Sequence, residues 1–362
     1  MSSFSKQRTT WRIASHSRMF ARNLFPRPSP FEAQEREAAE PLFVGENGVL
    51  AVNSRGRERP EEECWDRTCF QRDADRITHS KAFRRLKHKT QVFLQPEGDH
   101  YRTRLTHTLE VTRLARTVSR ALGLNEDLAE AIGLGHDLGH TPFGHAGERA
   151  LNAIYSEGFR HYEQSLRVVD AIEKEGRGLN LCYETRIGIL AHTTGHPDES
   201  LEAKVVRLCD HVAYLNHDLD DAMRAGLLEE SQVPALIRSK LGERNSQRID
   251  TFVRDIILNG RKGHVDISPE MQDVWVLFHN YMYENVYHNP VAKGEESKVE
   301  NILRGIWDHY CRYPDRLPAD YHAIAERDGL ERAVTDYVSG MTDDYAIYQY
   351  GEIFIPAAWS VK

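Results

Sequence analysis

Apolar residues recur at helical spacing along most of the chain after Asp66. The longest pattern begins near Asp198 and repeats at alternating intervals of four and three residues. Its members are Leu201, Val205, Leu208, Val212, Leu215, Leu219 and Ala222. Such a sustained seam predicts a long amphipathic helix with one buried face and one polar face.

Asparagine and glycine residues mark the ends of several shorter helical patterns. Gly123 ends a helix predicted over Thr103–Leu122, and Asn125 caps the next one, which we expect to reach Asp137. Strand patterns are sparse, and the strongest is a short hairpin around Gln91–Tyr101. We therefore predict a mainly α fold with at most one short β-hairpin. The other predicted helices cover Gly144–Ser156, Tyr162–Glu175 and Tyr183–Thr193.

Composition and charge narrow the classes of function. The 362 residues carry a formal net charge of −8, which makes nucleic acid an unexpected substrate. No uncharged apolar run reaches about 18 residues, so the sequence predicts no membrane span. The five cysteines are scattered without CxxC spacing. This pattern disfavours a disulfide framework or a thiolate zinc site, and it fits a cytoplasmic protein.

Two histidines and two aspartates are candidate metal ligands: His107, the adjacent pair His136 and Asp137, and Asp210. They fall on three predicted helices, whose packing could bring them to one point. Nitrogen and oxygen ligands without thiolate suit divalent ions, and carboxylates favour the harder ones. From spacing alone, an equally good interpretation makes His107 a satisfied core histidine and Asp210 a solvent-facing acid.

Longer motifs surround these four residues. They are the segments Phe83–Phe93, Arg102–His107, His136–Glu148 and Asp336–Asp343. With these motifs the chain resembles the deoxyguanosinetriphosphate triphosphohydrolase (dNTPase) family of HD-domain phosphohydrolases, from about residue 54 to residue 356. The resemblance implies an HD-domain helical bundle with additional C-terminal helices. It also implies that His107, His136, Asp137 and Asp210 bind a divalent metal, with Mn²⁺ or Mg²⁺ expected and Fe²⁺, Ni²⁺, Co²⁺ or Zn²⁺ as alternatives.

On this resemblance we divide the chain into three parts. Residues 1–53 form an N-terminal arm and an irregular segment, residues 54–230 form the HD phosphohydrolase core, and residues 231–362 form a C-terminal helical region. That last region is expected to complete the pocket and to supply oligomer contacts. The first thirty residues contain no Asp or Glu and end in a proline-rich stretch. They predict a flexible basic arm that docks on a partner subunit, with a transit peptide as the alternative.

The resemblance implies a reaction as well as a fold. Water would attack the α-phosphorus of a deoxynucleoside triphosphate (dGTP or several dNTPs), releasing a deoxynucleoside and tripolyphosphate. His145 and Glu148 are three residues apart and share a helix face, and the resemblance makes them a catalytic pair. His140 is expected to contact phosphate, with a fifth metal ligand as the alternative, and His161 is expected near the phosphates.

Substrate-binding residues follow from the same resemblance. Asp210, Tyr214 and Asp218 are spaced by four on the long predicted helix, so a stripe that begins with a metal ligand should line the pocket. Tyr214 would then pack against deoxyribose, and Asp218 would accept a hydrogen bond from the 3′-hydroxyl. The remaining assignments are Arg104 at the α-phosphate, Gln91 near the sugar and Tyr337 as a further pocket residue.

Other functions and partners stay open at this point. One alternative is an HD phosphohydrolase for other nucleotides, and another is a nucleotide sensor or nucleic-acid-binding regulator without turnover. The basic stretch Arg84–Lys89 could bind substrate phosphates or an allosteric nucleotide, or it could contact another subunit. Aromatic clusters at Tyr281–Tyr287 and Tyr345–Tyr350, together with the resemblance, predict a homo-oligomer, a tetramer or hexamer. The motifs do not define the preferred base.

Overall fold

The computed structural model of the protein describes residues 32–91, 101–289 and 294–356. Within these ranges the chain is helical and forms no strand, only isolated β-bridges that join Arg57 to Cys182 and Thr90 to Thr103. The prediction of a mainly α fold is confirmed. The predicted basic arm lies outside the described residues, and so does the predicted hairpin apart from its ends, Gln91 and Tyr101.

Seventeen α-helices follow one another in the described part of the chain. They are α1 (Ala33–Ala39), α2 (Cys69–Thr78), α3 (Lys81–Arg85), α4 (Arg104–Leu122), α5 (Glu126–Gly135), α6 (Gly144–Ile154), α7 (His161–Arg167), α8 (Glu173–Gly176), α9 (Tyr183–Ala191), α10 (Leu201–Arg224), α11 (Ala235–Leu241), α12 (Asn245–Gly260), α13 (Gln272–Met282), α14 (Glu296–Arg312), α15 (Ala319–Asp328), α16 (Leu330–Ser339) and α17 (Asp343–Phe354). Two π-helical segments, Val168–Ile172 and Tyr283–Tyr287, extend α7 and α13.

Helix α10 is the central element of the largest apolar cluster. Ser200 caps its first turn by accepting a hydrogen bond from the Ala203 amide. The predicted seam is buried at every position from Val205 to Ala222, and it packs against α4, α5, α9 and α12. Each fully buried leucine or valine of the seam contributes roughly 1.5–3 kcal/mol relative to an exposed one. The seam therefore fixes the rotation of α10 and decides which residues its other face presents.

Helices α4 and α5 pack closely together, and their caps match the sequence. Thr103 caps α4, Gly123 ends it in the left-handed conformation, and Asn125 accepts hydrogen bonds from two amides of α5. Helical spacing of Leu105, Leu109, Ala115, Val118 and Leu122 predicts a buried face of α4, and this is wrong at Leu109, which is 45% exposed. The buried face of α4 instead follows Val111, Ala115 and Val118. Leu109 lies off that face, because a separation of six residues places its side chain well away from that of Ala115 around the helix axis.

Helix α7 ends earlier than the predicted segment Tyr162–Glu175. Its last regular residue is Arg167, and the following π-helical turn leads to Lys174 and Glu175, which both have positive φ. A left-handed pair cannot continue a right-handed helix, so the chain turns back there.

The C-terminal helices pack directly on the part of the chain that carries the histidine motifs. Helix α14 packs along α6, and α16 and α17 pack on α14. Apolar residues of α6, including Ala150 and Leu151, belong to the same buried cluster as Leu303 and Val338 of the C-terminal helices. No described helix is both long and apolar enough to cross a membrane. The predicted boundary at residue 230 stays a prediction.

Candidate metal centre and active site

The four predicted ligands meet at one buried point. His107 lies in the first turns of α4, His136 and Asp137 follow directly on α5, and Asp210 lies in the middle of α10. The Nε2 atom of His107 is 2.9 Å from Oδ1 of Asp210 and 4.0 Å from Oδ2 of Asp137. The Nε2 atom of His136 is 3.6 Å from Asp137 and 3.7 Å from Asp210. Packing of three helices thus gathers two imidazoles and two carboxylates.

These donor atoms fit a divalent cation. His136 donates from Nδ1 to the Gly133 carbonyl at 2.7 Å, which leaves a lone pair on its Nε2 atom. That Nε2 atom is buried without a hydrogen-bond partner among the described residues, and it faces carboxylate oxygens. A lone pair opposite negative oxygens is stable only with a cation between them. Donors about 2.1 Å from one ion at right angles lie about 3 Å apart, close to the distances observed.

The local charges favour ionised carboxylates. Burial opposes ionisation of Asp210, but the hydrogen bond from His107 holds the pKa of Asp210 below its usual range. Against the effect of burial, the charge of Arg104 holds the pKa of Asp137 below its usual range. Arg104 is buried and lies 3.0 Å from Oδ2 of Asp137, so its positive charge stabilises the ionised carboxylate.

A second cluster lies beside the first. The Nε2 atom of His140 is 3.3 Å from Asp137, and its ring stacks on His161 with 4.0 Å between centroids. Asp137, His140 and His161 also form a group with the spacing of metal ligands. Burial and the charge of Arg104 keep the pKa of His140 well below its usual range, so His140 is a neutral imidazole.

Glu148 contacts both predicted histidines, but its shorter contacts are to His161. Its carboxylate lies 2.9 Å from both the His161 amide and His161 Nδ1, and 3.5 Å from Nδ1 of His145. His161 Nε2 is 3.1 Å from Nε2 of His192, which donates through Nδ1 to the Ile189 carbonyl. Both contacts of His161 are hydrogen bonds only if it donates from both ring nitrogens. The Thr193 hydroxyl lies 3.3 Å from Nε2 of His161, so both ring nitrogens of His161 have polar neighbours next to the cluster.

His145 has a different environment from the other histidines. Its side chain is 61% exposed, and it begins the first turn of α6. The residue before the helix, Phe143, has φ of 65°, which is costly for a residue with a side chain, on the order of 1–3 kcal/mol. His145 is thus an accessible imidazole on a helix whose first turn is held in a strained conformation.

A cavity of about 590 Å³ opens from these clusters. The stripe Asp210, Tyr214 and Asp218 lines one wall, as expected from the sequence, and Gln91 lies on the same cavity. Asp218 accepts a hydrogen bond of 2.7 Å from Tyr287, while its other oxygen is buried with no partner in the described part of the chain. Burial raises the pKa of Asp218 to about 7.

The structure brings together every predicted site residue except one. Tyr337 is buried among Tyr310 and Tyr321, and its hydroxyl lies 3.1 Å from that of Tyr345. It is not among the described residues that line the cavity.

Four site residues were not predicted from the sequence. They are His192 behind the metal cluster, and His211, His279 and Tyr287 on the cavity wall. His211 follows Asp210 directly and could have been suspected on that ground. The other three lie outside the motifs, and nothing in the sequence alone distinguishes them from ordinary helix residues.

The helical fold and the buried histidine–aspartate cluster define an HD-domain protein of the metal-dependent phosphohydrolase type. The chain matches the HD domain family over residues 104–215 and the phosphohydrolase-associated domain over residues 265–352. It belongs to the family of deoxyguanosinetriphosphate triphosphohydrolase-like proteins, as its similarity to curated members shows. The chain is thus a hydrolase of the HD class.

Three relatives illustrate the similarity. A deoxyguanosinetriphosphate triphosphohydrolase-like protein of Caldanaerobacter subterraneus subsp. tengcongensis is 50% identical over 332 residues, which cover 91% of this chain and 93% of that protein. Proteins with the same description from Clostridium perfringens (strain 13 / Type A) and Desulfatibacillum aliphaticivorans are 48% and 46% identical. Those matches cover 88% of this chain, and 96% and 97% of the respective relatives.

Proposed function

We propose that the protein hydrolyses deoxynucleoside triphosphates to deoxynucleosides and tripolyphosphate. The observation that carries this proposal is the arrangement along α10, where one face supplies a candidate metal ligand, Asp210, and then Tyr214 and Asp218 on the same cavity wall. These two residues lie about 6 and 12 Å further along the helix axis. A deoxyribose next to a reacting phosphorus falls within that span. The names of the relatives support a nucleotide substrate.

His107, His136, Asp137 and Asp210 would hold the divalent ion, for which we propose Mn²⁺ or Mg²⁺. When bound, such an ion neutralises phosphoryl charge and acidifies coordinated water. In the proposed reaction a water oxygen forms a bond to the α-phosphorus and the bond from phosphorus to the 5′-oxygen breaks. The leaving 5′-oxygen takes up a proton, and tripolyphosphate is released intact.

The chain's own residues would bind and protonate the substrate. His145 is exposed to the cavity and hydrogen-bonded to Glu148, so it is suited to donate the proton to the 5′-oxygen. His161, hydrogen-bonded to Glu148, would lie beside the phosphates. Arg104 would bind the α-phosphate with the guanidinium nitrogens that Asp137 leaves free.

The sugar would lie between Tyr214, Gln91 and Asp218. The Tyr214 ring lines the wall where a 2′-hydroxyl would project, and the unpaired oxygen of Asp218 can accept the 3′-hydroxyl proton. The side-chain oxygen of Gln91 is also buried without a partner among the described residues, so it offers a second acceptor.

Product analysis tests the proposal. Purified protein is incubated with Mn²⁺ and each dNTP or NTP in turn, and nucleosides and phosphates are separated by anion-exchange chromatography. We expect deoxynucleoside and tripolyphosphate in equal amounts, and His136→Ala should abolish both. Release of pyrophosphate or of single phosphate would contradict the proposal and indicate another HD phosphohydrolase. Nucleotide binding without turnover in any dNTP mixture would indicate a sensor.

We also propose a cytoplasmic homo-oligomer, a tetramer or hexamer. The five cysteines are free, and side chains of the cluster at Tyr345–Tyr350 are exposed, with Tyr348 at 57%. The other predicted cluster behaves differently, because both Tyr283 and Tyr287 line the cavity, although Tyr283 is also exposed. Light scattering that gives only the 41.6 kDa species, with and without dNTP, would contradict the assembly.

A further inference from the structure

Two turns from distant parts of the chain meet behind the active site. One is the turn His140–Gly144, which leads into α6, and the other is the turn Ser339–Asp343 between α16 and α17. The buried ammonium group of Lys89 donates hydrogen bonds to a carbonyl of each turn, that of His140 and that of Ser339. The contact with Ser339 measures 3.0 Å.

A buried carboxylate completes the connection. One oxygen of Asp343 accepts the Phe143 amide at 2.8 Å. The other accepts the Thr90 amide at 3.0 Å and also the Thr90 hydroxyl. Asp343 is only 3% exposed, so these bonds form out of contact with water, where a lost partner is costly.

The backbone atoms held in this way belong to the residues that carry the candidate catalytic groups. His140 supplies the ring that stacks on His161. Phe143, whose φ of 65° requires support from its surroundings, directly precedes the helix that bears His145 and Glu148. A change in the orientation of Phe143 would therefore swing the first turn of α6 relative to the metal cluster.

We propose that Asp343 and Lys89 are positioning residues, which fix the turn His140–Gly144 and so aim His140, His145 and Glu148 at the substrate. Neither residue is among the described residues that line the cavity, so both act through others. The inference rests on the proposed function in so far as the aimed side chains are catalytic. It gives the C-terminal helical region a part in the active site that does not require contact with the substrate.

The substitution Asp343→Asn tests the proposal. The asparagine side chain keeps one acceptor oxygen, but its NH₂ group must face the backbone amide of either Phe143 or Thr90. Two hydrogen-bond donors then face each other, and that hydrogen bond is lost. Asp73→Asn is the matched control. Asp73 is equally buried, and it accepts the Cys182 amide and the Thr185 hydroxyl at 2.8 Å and the Arg57 guanidinium at 2.5 Å, but it does not line the cavity.

Steady-state kinetics with Mn²⁺ and dGTP should separate the two variants. For Asp343→Asn we expect kcat per folded molecule to fall by about tenfold or more, because small misplacements of catalytic groups have large effects on rate. KM and the affinity for Mn²⁺ should stay within about twofold of wild type. Asp73→Asn should lose thermal stability but keep kcat. If both variants lose activity only in proportion to their unfolded fraction, the positioning role is wrong.

Hydrogen exchange measured by mass spectrometry gives a readout that does not depend on turnover. Amides of residues 138–150 should exchange faster in Asp343→Asn than in wild type. In Asp73→Asn their exchange rates should equal those of wild type. If wild type releases no tripolyphosphate, the proposed function fails while this measurement still decides the positioning role. Wild-type exchange rates over residues 138–150 in Asp343→Asn would overturn the positioning role.

A second variant covers the case in which Asp343→Asn does not fold. Lys89→Met keeps the length and the apolar stem of the side chain but leaves the carbonyls of His140 and Ser339 without their donor. The same decrease in kcat and the same faster exchange are expected. Wild-type values for both measurements would contradict the proposal for Lys89.

Discussion

The two oxygens of Asp218 have different surroundings, and this makes the residue a sensitive reporter of the site. One oxygen accepts from Tyr287, the other has no partner among the described residues, and burial raises the pKa of the carboxyl group to about 7 from 3.8. Between these two pH values the folded protein keeps a proton that the unfolded chain has lost. Ionisation of Asp218 therefore makes the free energy of unfolding decrease as pH rises through that window.

The same titration should appear in substrate binding. Above pH 7 the ionised carboxylate is the stronger acceptor for a 3′-hydroxyl, so we expect KM for a dNTP to fall roughly three- to tenfold between pH 6 and pH 8. Asp218→Asn should have the higher KM at both pH values. A 2′,3′-dideoxynucleoside triphosphate is the control, and an equal pH dependence of its KM would assign the effect to another group.

Tyr214 is the residue expected to distinguish deoxyribose from ribose. It lines the cavity between Asp210 and Asp218, with its hydroxyl 3.3 Å from His279. Tyr214→Ala should open room for a 2′-hydroxyl and raise kcat/KM for GTP relative to dGTP by about tenfold, whereas Tyr214→Phe should keep the wild-type ratio. A ratio unchanged in Tyr214→Ala would place the discrimination elsewhere.

Among the helices, α10 combines the seam that stabilises the fold with the stripe that forms the site. Leu215 is fully buried in that seam, whereas Leu258 on α12 is 53% exposed. Leu215→Ala should lower the free energy of unfolding by roughly 2–5 kcal/mol. Leu258→Ala should change it by about 0.5 kcal/mol or less. Urea titrations of both variants provide the comparison, and equal losses would contradict the assignment of the core face.

Sequence periodicity was informative where one face of a helix is buried along its whole length. The seam of α10 and the caps of α4 and α5 follow from local rules, so these elements could be predicted. Leu109 was misplaced because the rotation of α4 is set by packing against two neighbours rather than by its own pattern.

Contacts between distant segments explain the rest of the site. His192 reaches His161 only because α9 packs beside α7, and no spacing in the sequence records that arrangement. The closer pairing of Glu148 with His161 than with His145 has the same origin, since thirteen residues of chain separate the two. The four candidate ligands could be proposed because their motifs resemble a known family, whereas spacing alone also allowed a structural role for His107 and Asp210.

For the whole molecule, the metal cluster joins three helices and should couple ion binding to stability. A ligand that binds only the folded state raises the free energy of unfolding by about 2.7 kcal/mol at a concentration one hundred times its Kd. For a chain of this size, Mn²⁺ at that excess should raise Tm by roughly 3–4 °C in differential scanning fluorimetry, and EDTA should reverse the increase. His136→Ala should keep the fold but lose most of the increase. An equal increase in that variant would place the ion elsewhere.

The shared face of α10 also restricts how this active site can change during evolution. Inserting one residue between Asp210 and Asp218 would rotate everything beyond it by about 100°, turning the sugar-binding positions away while the ligand stays in place. Restoring the face would need about seven added residues, which would shift those positions by about 10 Å. Relatives that acquire new substrates should therefore do so by replacing side chains on this stretch, and insertions and deletions should accumulate in the loops around it.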